Sequence, residues 1–142
     1  MRPLAAAAAG LMLAATGALP ARAATVEVVV EGLRNATGQI LVAVCPESLF
    51  LGRECPWVSR VPARGQSIVA RLEGVPPGIY AIQAIHDENA NMDLDRNFVG
   101  YPLEGLGFSN DAPIRFGPPR FGDAAVTVRD PETRARLTLR YF

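Results

Sequence analysis

The chain has 142 residues, enough for a single domain whose hydrophobic core needs no metal to hold it together. Lysine and arginine together number 14, aspartate and glutamate also number 14, and the formal net charge is zero. A balanced charge of this kind argues against binding to nucleic acid or to an anionic membrane surface.

The first 23 residues are typical of a signal peptide. Arg2 supplies a positive start, Leu4–Leu19 is an apolar run, and residues 21–23 have the small-x-small pattern of a cleavage site. The apolar run is also close to the length that spans a bilayer, so an uncleaved membrane anchor is the alternative. Pro20 and the cleavage pattern favour removal of the segment. We therefore expect a periplasmic or secreted protein.

Residues 24–142 then form the mature chain, which we predict to be one domain. Because Arg2 and Arg22 leave with the signal peptide, its formal net charge is 12 − 14 = −2. After residue 23 no stretch is long and apolar enough to span a bilayer, so we expect no membrane span after cleavage.

Two cysteines, Cys45 and Cys55, belong to the mature chain. In an exported protein an even pair at short spacing is most simply a disulfide. A redox pair or a metal site built on thiolates is the alternative, but these need a CxxC spacing or further cysteine and histidine ligands. The chain has one histidine, so the sequence favours a Cys45–Cys55 disulfide.

Seven stretches after the signal peptide have the alternation or the β-branched content of strands. The first alternates valines with polar residues, which predicts a half-buried strand, whereas residues 38–45 are apolar on both faces and predict a central one. With turn signals between the stretches and no helical period, this pattern predicts an all-β, seven-stranded Greek-key β-sandwich. The predicted strands are Thr25–Gly32, Gly38–Cys45, Trp57–Val61, Gln66–Leu72, Ile79–Ile85, Ala124–Val128 and Ala135–Tyr141.

The turn before the fifth predicted strand has the pattern of a tyrosine corner. Leu72 is followed by Pro77-Gly78 and, two residues after that turn, by Tyr80. In a tyrosine corner the phenol hydroxyl binds the backbone a few residues upstream. The alternative is a simple Pro-Gly turn followed by an ordinary strand tyrosine.

The segment His86–Gly122, called here the long loop, is too polar and too rich in glycine and proline to predict a helix or a strand. A structureless connection of this length is uncommon in a compact domain and is usually either functional or disordered. Aromatic and aliphatic residues along it argue against disorder. We expect an ordered, self-packed loop with an acidic start. Its acidic residues are Asp87, Glu88, Asp93, Asp95, Glu104 and Asp111.

The long loop also contains a distinctive sequence pattern. It reads HDEN-x-N-x-x-LD-x-NF-x-G-x-P-x-EG-x-GFSN and, further on, FGPP-x-F-x-DA. This pattern resembles that of the bacterial family named domain of unknown function 2141, and the similarity extends over essentially the whole mature chain. The resemblance implies an exported single-domain sandwich of the transthyretin-like or immunoglobulin-like kind, with no established activity and no catalytic residue. One departure is Met92, where members typically have glycine.

Oxygen-bearing side chains recur at every second position at the start of the long loop. Counted from Asp87 as position 1, they occupy the odd positions at which an EF-hand-type loop places its ligands, position 7 through its backbone carbonyl. Such hard oxygen donors suit calcium better than zinc or copper. The sequence therefore predicts a possible Ca²⁺ site whose ligands are Asp87, Asn89, Asn91, Asp93 and Asp95.

Two positions depart from the calcium-loop pattern. Met92 stands at position 6 in place of the glycine that allows a sharp turn, and Phe98 stands at position 12 in place of a bidentate glutamate. Glu104 or Asp111 would have to return to the ion, or carbonyls and water would complete its shell. The alternative is a loop held by side-chain-to-backbone turns alone.

His86 is the chain's one histidine, and strand alternation places it with core residues, which favours a structural role. Ser109 is a conceivable nucleophile, but it lacks a Gly-x-Ser-x-Gly elbow. Phe108, Phe116 and Phe121 either line a ligand groove or pin the loop onto the sandwich.

These patterns together favour a binding module over an enzyme. We expect an exported, non-enzymatic β-sandwich with a calcium-binding acidic loop. Its partner would be an envelope protein, a glycan or a small molecule, and not a nucleic acid. The alternative is a metal-assisted hydrolase that uses the same acidic loop.

Overall fold

The structure is a computed structural model that describes Gly17 and residues 22–142. Apart from positions 17, 22 and 23, the predicted signal peptide lies outside the described residues. Among the residues that are described, none belongs to a helix long and apolar enough to cross a membrane.

The predicted β-sandwich is confirmed, with eight strands in place of seven. One sheet has three strands in the order β4-β1-β8, and the other has the order β3-β2-β5-β6, with β7 also pairing with β5. All pairs are antiparallel except β1 with β8. The strands are β1 (Ala24–Glu31), β2 (Gln39–Cys45), β3 (Trp57–Pro62), β4 (Ser67–Val75), β5 (Gly78–Asp87), β6 (Gly105–Phe108), β7 (Ala125–Val128) and β8 (Glu132–Thr138).

The chain crosses between the sheets in the manner of a Greek key. Strand β1 pairs with β4 in the first sheet, while β2 pairs with β5 in the second. The two neighbouring strands β1 and β2 therefore lie in different sheets, which is how a β-sandwich is closed around its core. Three short helical turns occur outside the strands, namely Glu47–Leu49, Ser109–Asp111 and α1 (Phe121–Ala124).

The alternation of apolar and polar residues explains which face of the first sheet is buried. Val26, Val28 and Val30 of β1 are fully buried against the other sheet. On the opposite face, the Glu27 carboxylate pairs with Arg71 of the neighbouring strand at 3.0 Å. This face is therefore polar and solvated, as the sequence pattern predicts.

The central strands of the second sheet, β2 and β5, are buried on both faces. The inner face of this sheet contributes to the main core between the sheets, and its outer face carries a second cluster that includes Ala81, Leu106 and Phe108. The Phe50 ring packs edge-on against the rings of Phe108 and Phe121, with centroids 5.8 and 5.7 Å apart. Because the long loop and the segment around Phe50 cover this outer face, the central strands can be apolar on both sides.

The tyrosine corner is confirmed. The Tyr80 hydroxyl donates a hydrogen bond to the carbonyl of Pro76 at 2.8 Å. The Trp57 ring packs edge-on against the Tyr80 ring, with centroids 5.4 Å apart. This corner fixes the entry of the chain into β5.

The disulfide between Cys45 and Cys55 is also confirmed, with the two Cα atoms 4.9 Å apart. It closes the segment that carries Phe50 to the outer face of the second sheet. The predicted disulfide therefore has a packing role as well as a covalent one.

The prediction of a long loop without secondary structure was wrong in part, because β5 continues to Asp87 and residues 105–108 form β6. The glycines of this short strand do not serve a turn. A Cβ at Gly107 would come within 2.7 Å of the Thr138 carbonyl oxygen, and one at Gly105 within 2.5 Å of the Tyr141 ring. Glycine is required here for close approach to the end of the chain. The last strand also lies earlier than predicted, at Glu132–Thr138.

Candidate functional site

The acidic loop, residues 87–95, begins with a carboxylate that is fully buried at the end of β5. Asp87 Oδ1 accepts a hydrogen bond from the backbone N–H of Asn91 at 3.0 Å, and Oδ2 accepts from the N–H of Met92 at 2.9 Å. Oδ2 also accepts from the side-chain amide of Gln39 at 2.8 Å. Asp87 therefore shapes the loop by binding its backbone.

Asn89, Asn91 and Asp95 meet on the exposed side of the same loop. The side-chain amides of Asn89 and Asn91 donate to the Asp95 carboxylate at 2.6 and 2.9 Å. Their oxygens accept from the backbone: Asn89 Oδ1 from Asn91 at 3.3 Å and Asn91 Oδ1 from Asp93 at 3.0 Å. Side-chain-to-backbone turns of the Asx type thus hold this part of the loop.

Asp93 is turned away from this group. Its Oδ2 pairs with the Arg53 guanidinium at 2.7 Å, and its Oδ1 accepts from the N–H of Leu94 at 2.9 Å. The structure therefore brings together three of the five predicted calcium ligands, places the Asp87 carboxylate beneath them, and separates the Asp93 carboxylate. Across residues 22–142, no three His, Cys, Asp or Glu side chains gather into a group that could hold a metal ion.

The backbone of the acidic loop has the left-handed conformation at two non-glycine residues. Ala90 has φ 57° and Met92 has φ 68°. Met92 thus adopts, without glycine, the positive φ that glycine supplies at position 6 of a calcium loop. Its replacement of glycine does not prevent the sharp turn.

Glu104 joins the acidic loop to β6, and the side chain is only 5% exposed. Its Oε1 accepts from the backbone N–H of Glu88 at 2.9 Å and its Oε2 from that of Asp95 at 3.1 Å. Asp111, the other acid expected to return to the loop, instead accepts from the N–H of Thr138 at 2.7 Å. Only Glu104 of the two lies against the acidic loop.

His86 is completely buried and binds the chain end. Its Nε2 lies 2.7 Å from the Thr37 carbonyl oxygen, which can only accept, so Nε2 carries the proton. In the neutral ring Nδ1 is then the acceptor, and it receives a hydrogen bond from the Tyr141 hydroxyl at 2.7 Å. In the described structure His86 makes no hydrogen bond to the neighbouring Asp87.

An ion pair covers the Tyr141 ring. The Arg34 guanidinium lies 4.5 Å from the ring centroid and pairs with the Glu88 carboxylate. Burial raises the pKa of Glu88, but hydrogen bonds from Asn35 and Arg34 outweigh it and hold this pKa below its usual value. Burial raises the pKa of Tyr141. The network therefore favours a charged Glu88 and a neutral Tyr141.

Ser109 lies in a separate buried environment. Its hydroxyl accepts from the N–H of Ile82 at 3.0 Å and donates to the carbonyl of Ala124. Because His86 binds Thr37 and Tyr141, the serine and the histidine bind different partners. The two side chains do not form a hydrogen-bonded dyad.

Three phenylalanines of the long loop, Phe108, Phe116 and Phe121, lie in different environments. Phe108 is buried, and Phe121 packs partly buried against the same outer cluster. Phe116 is fully exposed. Phe108 and Phe121 therefore pin the loop, and Phe116 lines an open depression.

That depression, called here the aromatic groove, has a volume of about 400 Å³. Its walls include four large apolar side chains that are themselves exposed, and its charged residues are two arginines. These six residues are Val99, Tyr101, Phe116, Phe142, Arg96 and Arg115. A second cavity of about 460 Å³ shares Arg96, Leu106 and Pro118 with it.

Residues 28–136 match the family model described as an uncharacterized protein conserved in bacteria, DUF2141. The chain belongs to this family. No curated protein and no solved structure matches the chain. Membership of the DUF2141 family does not assign an activity to this chain.

Sequence reasoning missed the aromatic groove of this DUF2141 member, apart from Phe116. Arg96 and Arg115 are 19 positions apart in the sequence, and Phe142 is more distant still. The sequence did show aromatic residues recurring beside arginines within one polar loop. These residues form one groove because β6 brings the two halves of the loop together.

Proposed function

We propose that this chain is an exported, non-enzymatic binding domain of the cell envelope, and that its ligand surface is the aromatic groove. The observation that carries the proposal is the exposure of its walls. Phe116 is 109% exposed and Tyr101 is 62% exposed, although both stand beside the same depression. Apolar side chains grouped in this way on a monomer mark a surface that a ligand or a partner covers.

Covering these side chains is energetically favourable. Removing a phenylalanine side chain from water contributes about 1.5–3 kcal/mol, and aromatic and arginine side chains are the usual anchors of binding sites. One wall of the groove is held by a side-chain-to-backbone contact. The Asn97 side chain accepts hydrogen bonds from the N–H groups of Val99 and Tyr101, both at 3.0 Å.

The proposal includes calcium at the acidic loop. Its support is the left-handed backbone at Ala90 and Met92 and the convergence of Asn89 and Asn91 on Asp95. An ion here would replace the two amide donors at the Asp95 carboxylate. With so few carboxylate ligands we expect weak binding, with a dissociation constant of about 10⁻⁴–10⁻³ M.

The test of the binding surface is fluorescence titration of the purified protein with N-phenyl-1-naphthylamine, a neutral aromatic probe. We expect saturable binding to the wild type, weakened about fivefold in Phe116→Ser, since roughly 1 kcal/mol of apolar contact is lost. The matched control is Val69→Ser, because Val69 is an exposed apolar residue of β4 in the other sheet. Absence of saturable binding, or equal weakening in both variants, would contradict the proposal.

A further inference from the structure

We propose that the aromatic groove takes an amphiphilic anion, a molecule with an apolar acyl or aromatic body and a carboxylate, phosphate or sulfonate head. The inference rests on the proposed function and specifies the class of ligand. It follows from the charge of the groove, the nature of its polar groups and the continuity of its floor.

The charged side chains of the groove have one sign. Arg96 and Arg115 line it, and among the described residues no acidic side chain does. Every ion pair found among residues 22–142 involves other arginines. Two exposed guanidinium groups without carboxylate partners favour an anionic head group.

Arg96 is held in place by the loop itself. Its Nη1 donates to the Gly100 carbonyl at 3.1 Å, which leaves its other N–H groups free to bind. The nearest acids are already engaged: Asp95 accepts from the amides of Asn89 and Asn91, and Asp93 pairs with Arg53. An incoming anion therefore does not have to displace an internal ion pair.

The polar groups of the groove are too few for a sugar. Among the described residues that line it, Tyr101 is the one with a polar side chain apart from the two arginines. A glycan would need several neutral donors and acceptors to replace the water bound to its hydroxyls. Apolar walls with a cationic rim suit instead a ligand whose charge is concentrated at one end.

The floor extends beyond the groove. Leu106 and Pro118 are common to the groove and to the second cavity. That cavity has apolar residues (Ile85, Leu94 and Phe108) and also charged ones (Arg53, Asp93 and Asp95) in its lining. Each of the two spaces, about 400 and 460 Å³, is of the size that small-molecule sites have. Arg96 lines both at one end of the groove, so a head group bound to it would leave the apolar body of the ligand to lie along the groove.

The experiment compares two probes that share one aromatic skeleton, 8-anilino-1-naphthalenesulfonate and the neutral N-phenyl-1-naphthylamine. We expect the wild-type protein to bind the sulfonate about tenfold more tightly, and this preference to disappear in the double variant Arg96→Gln/Arg115→Gln. The control is Arg60→Gln/Arg64→Gln, which changes the net charge equally at two exposed arginines outside the groove. Unchanged melting temperatures show that the variants are folded.

The outcomes separate the two proposals. Equal binding of both probes, or a sulfonate preference that survives in Arg96→Gln/Arg115→Gln, overturns the anionic ligand and leaves the binding groove intact. No binding of either probe overturns both. Displacement of the bound sulfonate by decanoate or by decyl phosphate, but not by decyltrimethylammonium, supports the inference and tells a fatty acid from a phosphate-bearing lipid as the source. Displacement by the cation equally well would contradict it.

Discussion

The Tyr141 hydroxyl donates to Nδ1 of His86 at 2.7 Å and so fastens the end of the chain to the buried end of β5. The same hydroxyl accepts from the backbone N–H of Arg34 at 3.2 Å. The next residue, Phe142, is a wall of the aromatic groove. A contact in the core therefore positions a side chain of the proposed binding surface.

Tyr141→Phe tests the strength of this contact. The ring stays, but the buried Nδ1 of His86 loses its donor, so we expect the free energy of unfolding to fall by about 1–3 kcal/mol. Urea unfolding followed by circular dichroism measures the change. The control is Tyr101→Phe, since Tyr101 is 62% exposed. A Tyr141→Phe protein as stable as the wild type would show that the hydrogen bond contributes little.

Glu104→Gln tests the connection between the acidic loop and β6. A glutamine offers one oxygen where the carboxylate binds two backbone N–H groups, so one of them loses its partner. We expect a loss of about 1–3 kcal/mol and faster amide exchange at Glu88 and Asp95. Glu73→Gln, at an exposed position of β4, is the control. Unchanged exchange at both amides would mean that Glu104 does not hold the loop.

The lowered pKa of Glu88 predicts a pH dependence. A carboxylate whose pKa is lower in the folded than in the unfolded state stabilises the folded protein at pH values above the ordinary pKa of 4.5. This stabilisation is lost as the pH falls through the folded-state pKa. We therefore expect the wild type to be more stable than Glu88→Gln at neutral pH, and the difference to vanish in acid. A pH series of urea unfolding curves measures it. A difference that persists at pH values well below 4.5 would contradict the ion pair with Arg34.

The calcium proposal gives a pair of variants with opposite expectations. Asp95→Asn removes the charge on which Asn89 and Asn91 converge, so calorimetry should show no calcium binding. Asp93→Asn should bind as the wild type does, because position 7 of such a loop contributes its backbone carbonyl and the Asp93 side chain pairs with Arg53. No heat from the wild type at millimolar calcium, or equal losses in both variants, would rule out the site.

The parts of the fold with local causes were predictable from the sequence. Alternation at Val26, Val28 and Val30 marked β1, and Pro77-Gly78 before Tyr80 marked the tyrosine corner. These features depend on residues that are close together in the sequence. The disulfide was predictable because the sequence has two cysteines, Cys45 and Cys55, at short spacing.

The parts with distant causes were not predictable. Residues 105–108 carry two glycines, which disfavour a strand, and they form β6 because β5 pairs with them and the chain end packs closely on them. In the acidic loop the spacing of Asp and Asn was visible, and Glu104 was one of two acids expected to return to it. Gln39 and Arg53, however, come from other segments and were not expected there. Such partners are fixed by the tertiary structure and leave no local pattern.

The most direct test of the binding surface is to locate the bound probe by nuclear magnetic resonance. Amide chemical shifts of ¹⁵N-labelled protein are followed during titration with N-phenyl-1-naphthylamine. We predict that the largest changes fall at residues 96–101, 114–118 and 142, which border the aromatic groove, while the strands of the three-stranded sheet stay unchanged. Changes centred on that other sheet, or scattered evenly over the molecule, would contradict the account.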